Sequence, residues 1–393
     1  MQTSNRRNFL KCAALLGAAT ALPAHTLLAE DTPAPTPLVP KPMGDGLFAV
    51  SYGKEIKPAA TKPRTITIPD TDGFNVLKGD FHMHTLFSDG RVMPRDRVHE
   101  AVNNGLDVIA ITDHIEYRPN LGNGEFKFAE NNDEHNRSYN LAKPEAEKNN
   151  LILVRGTEIT KSTMPPGHFN ALFIKDANQI AAVVDNWKTM LAVAADQGGF
   201  IHWNHPGWVA PTGGGLEKGV PMSFTDEHED VRAKGHLHGV EVFNSTEFYP
   251  AALDWCNERD LAPMANSDIH ASEWNAHGHQ NLQRPMTLIF AKDRTEPAIR
   301  EAFFAKRTIG WAANMIFGRP EWVEKLFRSC VKITKSGSGL TLLNTSDLPC
   351  LIETGGKPSN LAAQGTLNVA AVQKLTVSNW FVGLNKPLEI TVQ

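Results

Sequence analysis

The chain has 393 residues, 41% of them apolar and 21% charged, which suits a globular protein of two or three domains and excludes a mostly disordered, collagen-like or coiled-coil chain. Its 39 Lys and Arg against 43 Asp and Glu give a formal charge of −4, so gripping nucleic-acid phosphates or an anionic membrane is not its main business. Four cysteines are too few for a disulfide scaffold, and the unusual count is histidine, at 15.

The chain begins with a paired-arginine head, Arg6-Arg7, followed by an uncharged apolar stretch from Cys12 to Leu22, then Pro23 and small residues up to Ala29. This resembles a twin-arginine export signal cleaved near Ala29, and predicts a periplasmic or secreted protein. The alternative is a chance extension on a cytoplasmic protein. At about eleven residues the apolar stretch falls short of the roughly eighteen needed to span a bilayer, so no permanent membrane anchor is expected. Lys11 stands where a lipobox before Cys12 wants a small residue, which disfavours lipidation. Removing residues 1–29 takes away Arg6, Arg7 and Lys11 and no acid, moving the formal charge from −4 to −7.

Residues 30–72 read as a Pro-rich linker and N-terminal extension, with five prolines between 31 and 42. From Leu77 short apolar runs alternate with stretches of helical spacing. The spacing predicts strands at 77–84, 108–113, 151–158, 169–174, 200–205, 240–244, 263–268 and 286–291. Between the first two, Pro94 suits the first turn of a helix, Val98, Ala101 and Val102 share a face, and Gly105 suits the stop. Strand and helix in alternation predict an α/β fold with parallel pairing, and polar residues recurring at the same strand end favour a barrel, over residues 73–312. After Trp311 the pattern alternates in strand fashion, predicting a small β-sandwich-like domain at 313–393. Cys330 and Cys350 in it could pair in an oxidising compartment or remain free thiols.

Chemistry gathers at the predicted strand ends. His82-Met83-His84 closes the first run, and side chains at i and i+2 project to one face. Asp89 follows in a Ser88-Asp89-Gly90 turn. Further along come Thr112-Asp113-His114, Glu158, Gly167-His168, His205-Pro206-Gly207 and Asp268-Ile269-His270. Any one of these is an ordinary surface or core group; together, around one barrel mouth, they would cost several kcal/mol per unpaired charge unless something compensates them jointly. Metal ions would. Imidazoles mixed with carboxylates and no thiolate favour Mn, Fe or Zn over thiolate-type sites, and disfavour Ca and Mg.

In that order these motifs resemble the polymerase and histidinol phosphatase domain family, known as PHP. The resemblance implies a distorted (β/α)7 TIM-like barrel and phosphoester hydrolysis by a metal-bound hydroxide at a di- or trinuclear site. It implies that His82, His84, Glu158 and Asp268 hold a first ion, Asp89, His114 and His270 a second, and Glu158, His168 and His205 a third, with Glu158 bridging. Some family members have histidine where this chain has Asp89. Asp113, His205, Asp268 and His270 would stand nearest the chemistry, Asp113 by orienting a neighbour rather than binding metal. Arg118 and Lys161 are candidates for phosphate contacts. His202 is a candidate ligand or wall of the site, and Asn244, His277 and His279 follow strand ends and could reach the mouth. Arg155 has the opposite parity to Glu158 and should face away. His99, His135, His228, His236 and His238 fit the surface.

No Gly-x-Ser-x-Gly elbow, phosphate-cradling Gly-x-x-x-x-Gly-Lys loop or Cys-x-x-Cys occurs in the chain. Three functions are compatible with the sequence. The first is a phosphoesterase for small phosphomonoesters or phosphodiesters, carrying two or three divalent ions. The second is a metal-dependent 3′-5′ exonuclease, disfavoured by the acidic mature charge. The third is a non-catalytic metal- or ligand-binding periplasmic protein.

Overall fold

The computed structural model describes residues 41–42, 48–49, 63–121, 134–160, 166–208, 222–278 and 282–392. The expected signal, most of the linker, Lys161 and His279 lie outside the described residues. In the N-terminal unit, Met1–Ala60, Lys41–Pro42 pairs antiparallel with Phe48–Ala49. Everything below concerns the second unit, Thr61–Gln393.

All eight apolar runs are strands: β1 Asn75–Asp80, β2 Val108–Ile111, β3 Ile152–Ile159, β4 Phe169–Leu172, β5 Phe200–Trp203, β6 Gly239–Asn244, β7 Ala262–Asn266 and β8 Met286–Ala291. Every residue of β2, β4, β5, β6, β7 and β8 is buried, which is why they read as unbroken apolar runs rather than alternating ones. Their order in the sheet is β7-β6-β5-β4-β3-β2-β1-β8. The pairs β1–β2, β2–β3, β5–β6 and β6–β7 are parallel, as expected. The expectation of parallel pairing fails at β4, which runs antiparallel to both β3 and β5. Only residues 160–168 separate β3 from β4, too few for the dozen or so that a parallel crossover needs. β8 is also antiparallel to β1.

β1 and the edge strand β7 meet just beyond their carboxyl ends. Met83 and Ile269 form an isolated parallel bridge, the His84 N–H donates to the Ile269 carbonyl at 3.0 Å, and the Phe81 N–H to Asn266 Oδ1 at 3.0 Å. Below this seam β8 lies against β7, where Thr287 Oγ1 donates to the Ala265 carbonyl at 2.9 Å and accepts from its N–H at 3.0 Å. The helix expected between β1 and β2 is α1, Pro94–Asn103, with Pro in its first turn, Val98 and Ala101 buried, and Gly105 beyond its end at φ +76°. The other long helices of this half are α2 Arg137–Lys148, α3 Trp187–Asp196, α4 Asp226–Ala233, α5 Pro250–Arg259 and α6 Glu296–Phe304.

The C-terminal region is rich in β structure, as the alternation indicated. After β9 (Thr308–Ala312), β10 (Met315–Gly318) and helix α7 (Pro320–Cys330) come β11 Val331–Ser336, β12 Gly339–Asn344, β13 Cys350–Thr354, β14 Lys357–Leu361, β15 Thr366–Ala370, β16 Lys374–Gly383 and β17 Lys386–Thr391. β11, β12 and β15 form their own three-stranded sheet, whereas β16 pairs in parallel with β10 and so joins β13, β14 and β17 to the sheet that began at β7. The apolar face of α7, with Trp322, Val323, Leu326 and Phe327, packs in a core shared by Ile109 of β2 and Trp380 of β16. Cys330 and Cys350 are buried free thiols in this core.

Of the five histidines expected at the surface, His99 is exposed, His135, His236 and His238 are half-buried, and His228 is fully buried. His228 stands in the fourth position of α4's capping turn, where Thr225 Oγ1 contacts its Nδ1 at 2.7 Å and the Pro166 carbonyl its Nε2 at 2.8 Å, and its ring stacks on Trp203 at 3.8 Å. Both ring nitrogens are thus satisfied without water. Burial pushes its pKa down from 6.5 to about 4. The unfolded chain therefore takes up this proton first, so the contribution is present above pH 6.5 and is lost as pH falls from about 6.5 towards 4. Urea unfolding at pH 7 and pH 5 should show wild type losing roughly 1–2 kcal/mol more over that interval than His228→Gln; equal losses would show that this proton is not linked to folding.

Candidate metal centre

At the site end the predicted strands overran the observed ones by four residues at β1 and by two at β2, β5 and β7, and candidate site residues lie just past these four strands. His82 and His84 lie past β1, Asp113 and His114 past β2, His205 past β5 and Asp268 past β7. Their backbones leave the ladder to aim side chains inward. His205 at φ +27° and Asp268 at φ +50° sit in the left-handed region, which costs a non-glycine residue about 1–3 kcal/mol and persists only where the surroundings impose it.

Glu158, on β3 and fully buried, is the hub. Its Oε2 lies 3.3 Å from His82 Nε2, 3.3 Å from His84 Nε2 and 3.0 Å from His114 Nδ1. Its Oε1 lies 2.8 Å from His168 Nδ1, 3.1 Å from Asn204 Nδ2 and 3.9 Å from His205 Nε2. Asp268 Oδ1 approaches His84 Nε2 at 3.1 Å and His82 Nε2 at 3.2 Å. Asp89 Oδ2 approaches His270 Nε2 at 3.1 Å and His114 Nε2 at 3.4 Å. Among the described residues, three sets have all their ligand atoms within 4.8 Å of one another and could each hold a cation: His84, Asp89, His114 and His270; His82, Glu158 and His205; His82, His84 and Asp268. His168 falls outside these sets but touches Glu158. Its Nε2 is buried with no hydrogen-bond partner. That orphaned imidazole nitrogen, in a cluster of histidines and carboxylates with no thiolate, fits a divalent ion with N and O ligands.

Burial opposes charge on these groups, yet the imidazoles of His114 and His82 hold the Glu158 carboxyl well below its usual range. Asp268 is likewise held well below, against burial, by His82 and His84. His114, against the burial that opposes it, is raised to about 10 by Glu158 and Asp89, whereas burial and the neighbouring His270 and His114 push His84 down to about 4.

Two supports went unnoticed in the sequence. Glu241, on β6 and fully buried, places Oε1 2.9 Å from His82 Nδ1 and 2.9 Å from Asn266 Nδ2, while Oε2 accepts from the His205 N–H and Asn244 Nδ2, both at 2.8 Å. A carboxylate only accepts, so the proton shared with Glu241 sits on His82 Nδ1, and Nε2, which faces Glu158 and Asp268, is the nitrogen that would hold an ion. A lone carboxylate inside the apolar run Val240-Glu241-Val242 was the available signal. Arg97, on α1 and fully buried, donates to the carbonyls of His84, Ile269, His270 and Ala271 at 2.8–3.0 Å. It ties the His-x-His segment to the Asp-x-His segment.

The remaining candidates divide. Asp113 accepts from Thr85 N–H, Thr85 Oγ1 and Ser88 Oγ at 2.6–2.7 Å, and so shapes the loop carrying Asp89 rather than facing the cluster. Asn244 lines the cavity at the centre, which has a volume of about 480 Å³. His202 is buried beneath it, 3.7 Å from Glu241. His277 is buried beside Glu273, at 3.8 Å, and is not part of the lining. Arg118 turns away, donating to the Phe87 carbonyl at 2.8 Å and lying 3.2 Å from His135. Arg155 faces α2, as its parity indicated, with its guanidinium 3.9 Å over the Tyr139 ring.

Comparison with known proteins adds identity to this geometry. Residues 80–200 match the PHP domain. The solved structure of a two-domain protein from Bacteroides vulgatus containing a predicted PHP-like metal-dependent phosphoesterase is 33% identical, aligned over 84% of this chain and 98% of that one at a TM-score of 0.75. The chain belongs to the PHP family. A Bifidobacterium adolescentis protein assigned as a metal-dependent phosphoesterase and an amidohydrolase from Chromobacterium violaceum with bound sulfate and no metal align over 49% and 50% of the chain and 88% of their own lengths. Their identities are 18% and 15%, and at a TM-score of 0.37 neither carries an argument here. No curated protein matches the chain. Residues 3–23 match the twin-arginine translocation signal, so this PHP protein carries an export signal. No helix among the described residues is long and apolar enough to cross a membrane.

Because Glu241 fixes His82, Glu241→Ala should weaken metal affinity about 10–100-fold, read by calorimetric titration of the chelator-treated protein, with its circular dichroism unaltered. Wild-type affinity in that variant would exclude the role.

Proposed function

We propose that this PHP protein is a periplasmic hydrolase of small phosphomonoesters or phosphodiesters. Two or three ions of Mn, Fe or Zn would be held by His82, His84, Asp89, His114, Glu158, His168, His205, Asp268 and His270. β1 to β7, joined at the Met83–Ile269 seam, are the strands of its distorted (β/α)7 barrel. The observation that carries this reading is Glu158, one buried carboxylate within 3.3 Å of nitrogens from four histidines on three different segments.

Among the described residues, neither Lys nor Arg lines the cavity. A phosphate placed there would meet Asp89, Glu158 and Asp268, which repel it, so cations at the ligand sets are needed to receive it. When bound, divalent ions offset charge on the phosphoryl oxygens and supply a water of lowered pKa as nucleophile. The protein's own groups do the rest. Glu241 sets the His82 tautomer, Asp113 fixes the Asp89 loop, Arg97 locks two ligand segments together, and Asn204 Nδ2 orients Glu158. No side-chain nucleophile is required.

Protein loaded with Mn should hydrolyse 4-nitrophenyl phosphate or its bis-ester. Chelation should abolish the activity and Mn restore it, and His84→Ala and Asp268→Ala should each lower kcat by at least about 100-fold while keeping the fold. Turnover that survives chelation and both substitutions would overturn the reading. Elemental analysis should find two or three ions per chain, and one ion only would refute the multinuclear site.

A further inference from the structure

We propose that Asp80 and Arg284, a buried ion pair outside every ligand set, are positioning residues that hold Asp268 in its metal-binding conformation. This rests on the reading above that the centre holds metal, and is independent of which ester is hydrolysed there. Neither side chain belongs to a ligand set or lines the cavity, so the pair acts on an ion only through the chain it holds.

Asp268 is the ligand whose backbone most needs holding. It lies past the end of β7 with φ at +50°, in the left-handed region, and its Oδ1 approaches both His82 and His84. A non-glycine residue keeps that conformation only where its neighbours impose it. On the C-terminal side, Arg97 donates to the carbonyls of Ile269 and His270, and the His84 N–H to that of Ile269. On the N-terminal side stands Ser267, and both of its donors reach Asp80. The Ser267 N–H donates to Oδ1 at 3.1 Å and its Oγ to Oδ2 at 2.5 Å. Asp268 is thus clamped from both directions, and Asp80 is one jaw.

A carboxylate can accept from several donors at once, which a neutral amide oxygen does less strongly, but burying its charge is costly unless a cation accompanies it. Arg284 is that cation. Its Nε donates to Asp80 Oδ2 at 2.8 Å and its Nη2 lies 2.7 Å from the same oxygen, with both side chains fully buried. Topology makes the pair. Asp80 closes β1, Ser267 follows β7, and Arg284 stands two residues before β8. Because β8 runs antiparallel to β1, with Thr287 opposite Gly79, the beginning of β8 lies beside the end of β1. A parallel strand would bring its other end there. The reversed direction of β8 is therefore what delivers a cation beneath the Asp-x-His segment.

Calorimetric titration of the chelator-treated protein with Mn tests this on wild type, Ser267→Ala, Arg284→Met, Asp268→Ala and the double variant Ser267→Ala/Asp268→Ala. Ser267→Ala removes the hydroxyl link and leaves the ion pair, and should weaken Mn binding about tenfold. Arg284→Met leaves Asp80 a buried charge without its partner, and should weaken binding about 10–100-fold. In the Asp268→Ala background, Ser267→Ala should cost no further affinity, because the ligand it positions is gone. A role in general stability alone predicts the same loss in both backgrounds. Equal losses in the two backgrounds, or wild-type affinity in either Ser267→Ala or Arg284→Met, would overturn the proposal while the metal centre stands. Should Arg284→Met fail to fold, the Ser267–Asp268 cycle decides. Wild-type protein that binds neither Mn nor Zn would sink the metal reading and this inference together. Coupling between Ser267 and Asp268 in a protein that binds Mn but turns over no ester would keep the inference while the phosphoesterase reading falls.

Discussion

Four carboxylates confined around one set of imidazoles are the constraint on which the rest of this structure depends. Glu158 and Glu241 are fully buried, and the side chains of Asp268 and Asp89 are only 17% and 18% exposed. Left uncompensated, each such charge would cost several kcal/mol, so the fold must bring counter-charge to them or lose stability. Neither of the nearby buried guanidiniums meets that need. Arg97 spends its donors on carbonyls and on Glu100, and Arg284 lies 2.7 Å from Asp80 below the cluster. What faces the carboxylates is histidine. The left-handed turns at His205 and Asp268 and the early ends of β1, β2, β5 and β7 all follow from steering those rings and carboxylates to one point.

The strands were legible in the sequence because they are buried on both faces and leave unbroken apolar runs. Helix α1 was legible because Pro94 and Gly105 mark its limits. The direction of β4 was not, since pairing direction depends on connection length and space rather than on composition, and the short stretch 160–168 was the only hint. The ends of β1, β2, β5 and β7 were misplaced by two to four residues for a reason that bears on function: a polar residue leaving the ladder to reach the site looks, in one dimension, like the last residue of the strand. The ligand candidates themselves were legible as polar groups recurring at strand ends. Glu241 and Arg97 were missed because their partners, His82 and the carbonyls from His84 to Ala271, lie across the sheet or far along the chain.

The floor of the cavity and its rim are built from different parts of the molecule. The candidate metal ligands stand on strand ends and the turns that leave them. The rim, with Tyr117, Trp208 and the Ser245 turn, sits on segments that follow strands and are free to differ between members without disturbing the sheet.

The seam between β1 and β7 has a thermodynamic meaning beyond its geometry. It is made of one bridge and a few bonds, among them the His84 amide to the Ile269 carbonyl, so the strand pairing is thinnest where the sheet closes. His84 and Asp268 flank that seam, each just past the end of its strand. An ion held by both would stitch it, and by mass action its occupancy would shift the opening equilibrium of the seam. Slow escape of the ion and resistance of the closed sheet to proteolysis then become two measurements of one quantity.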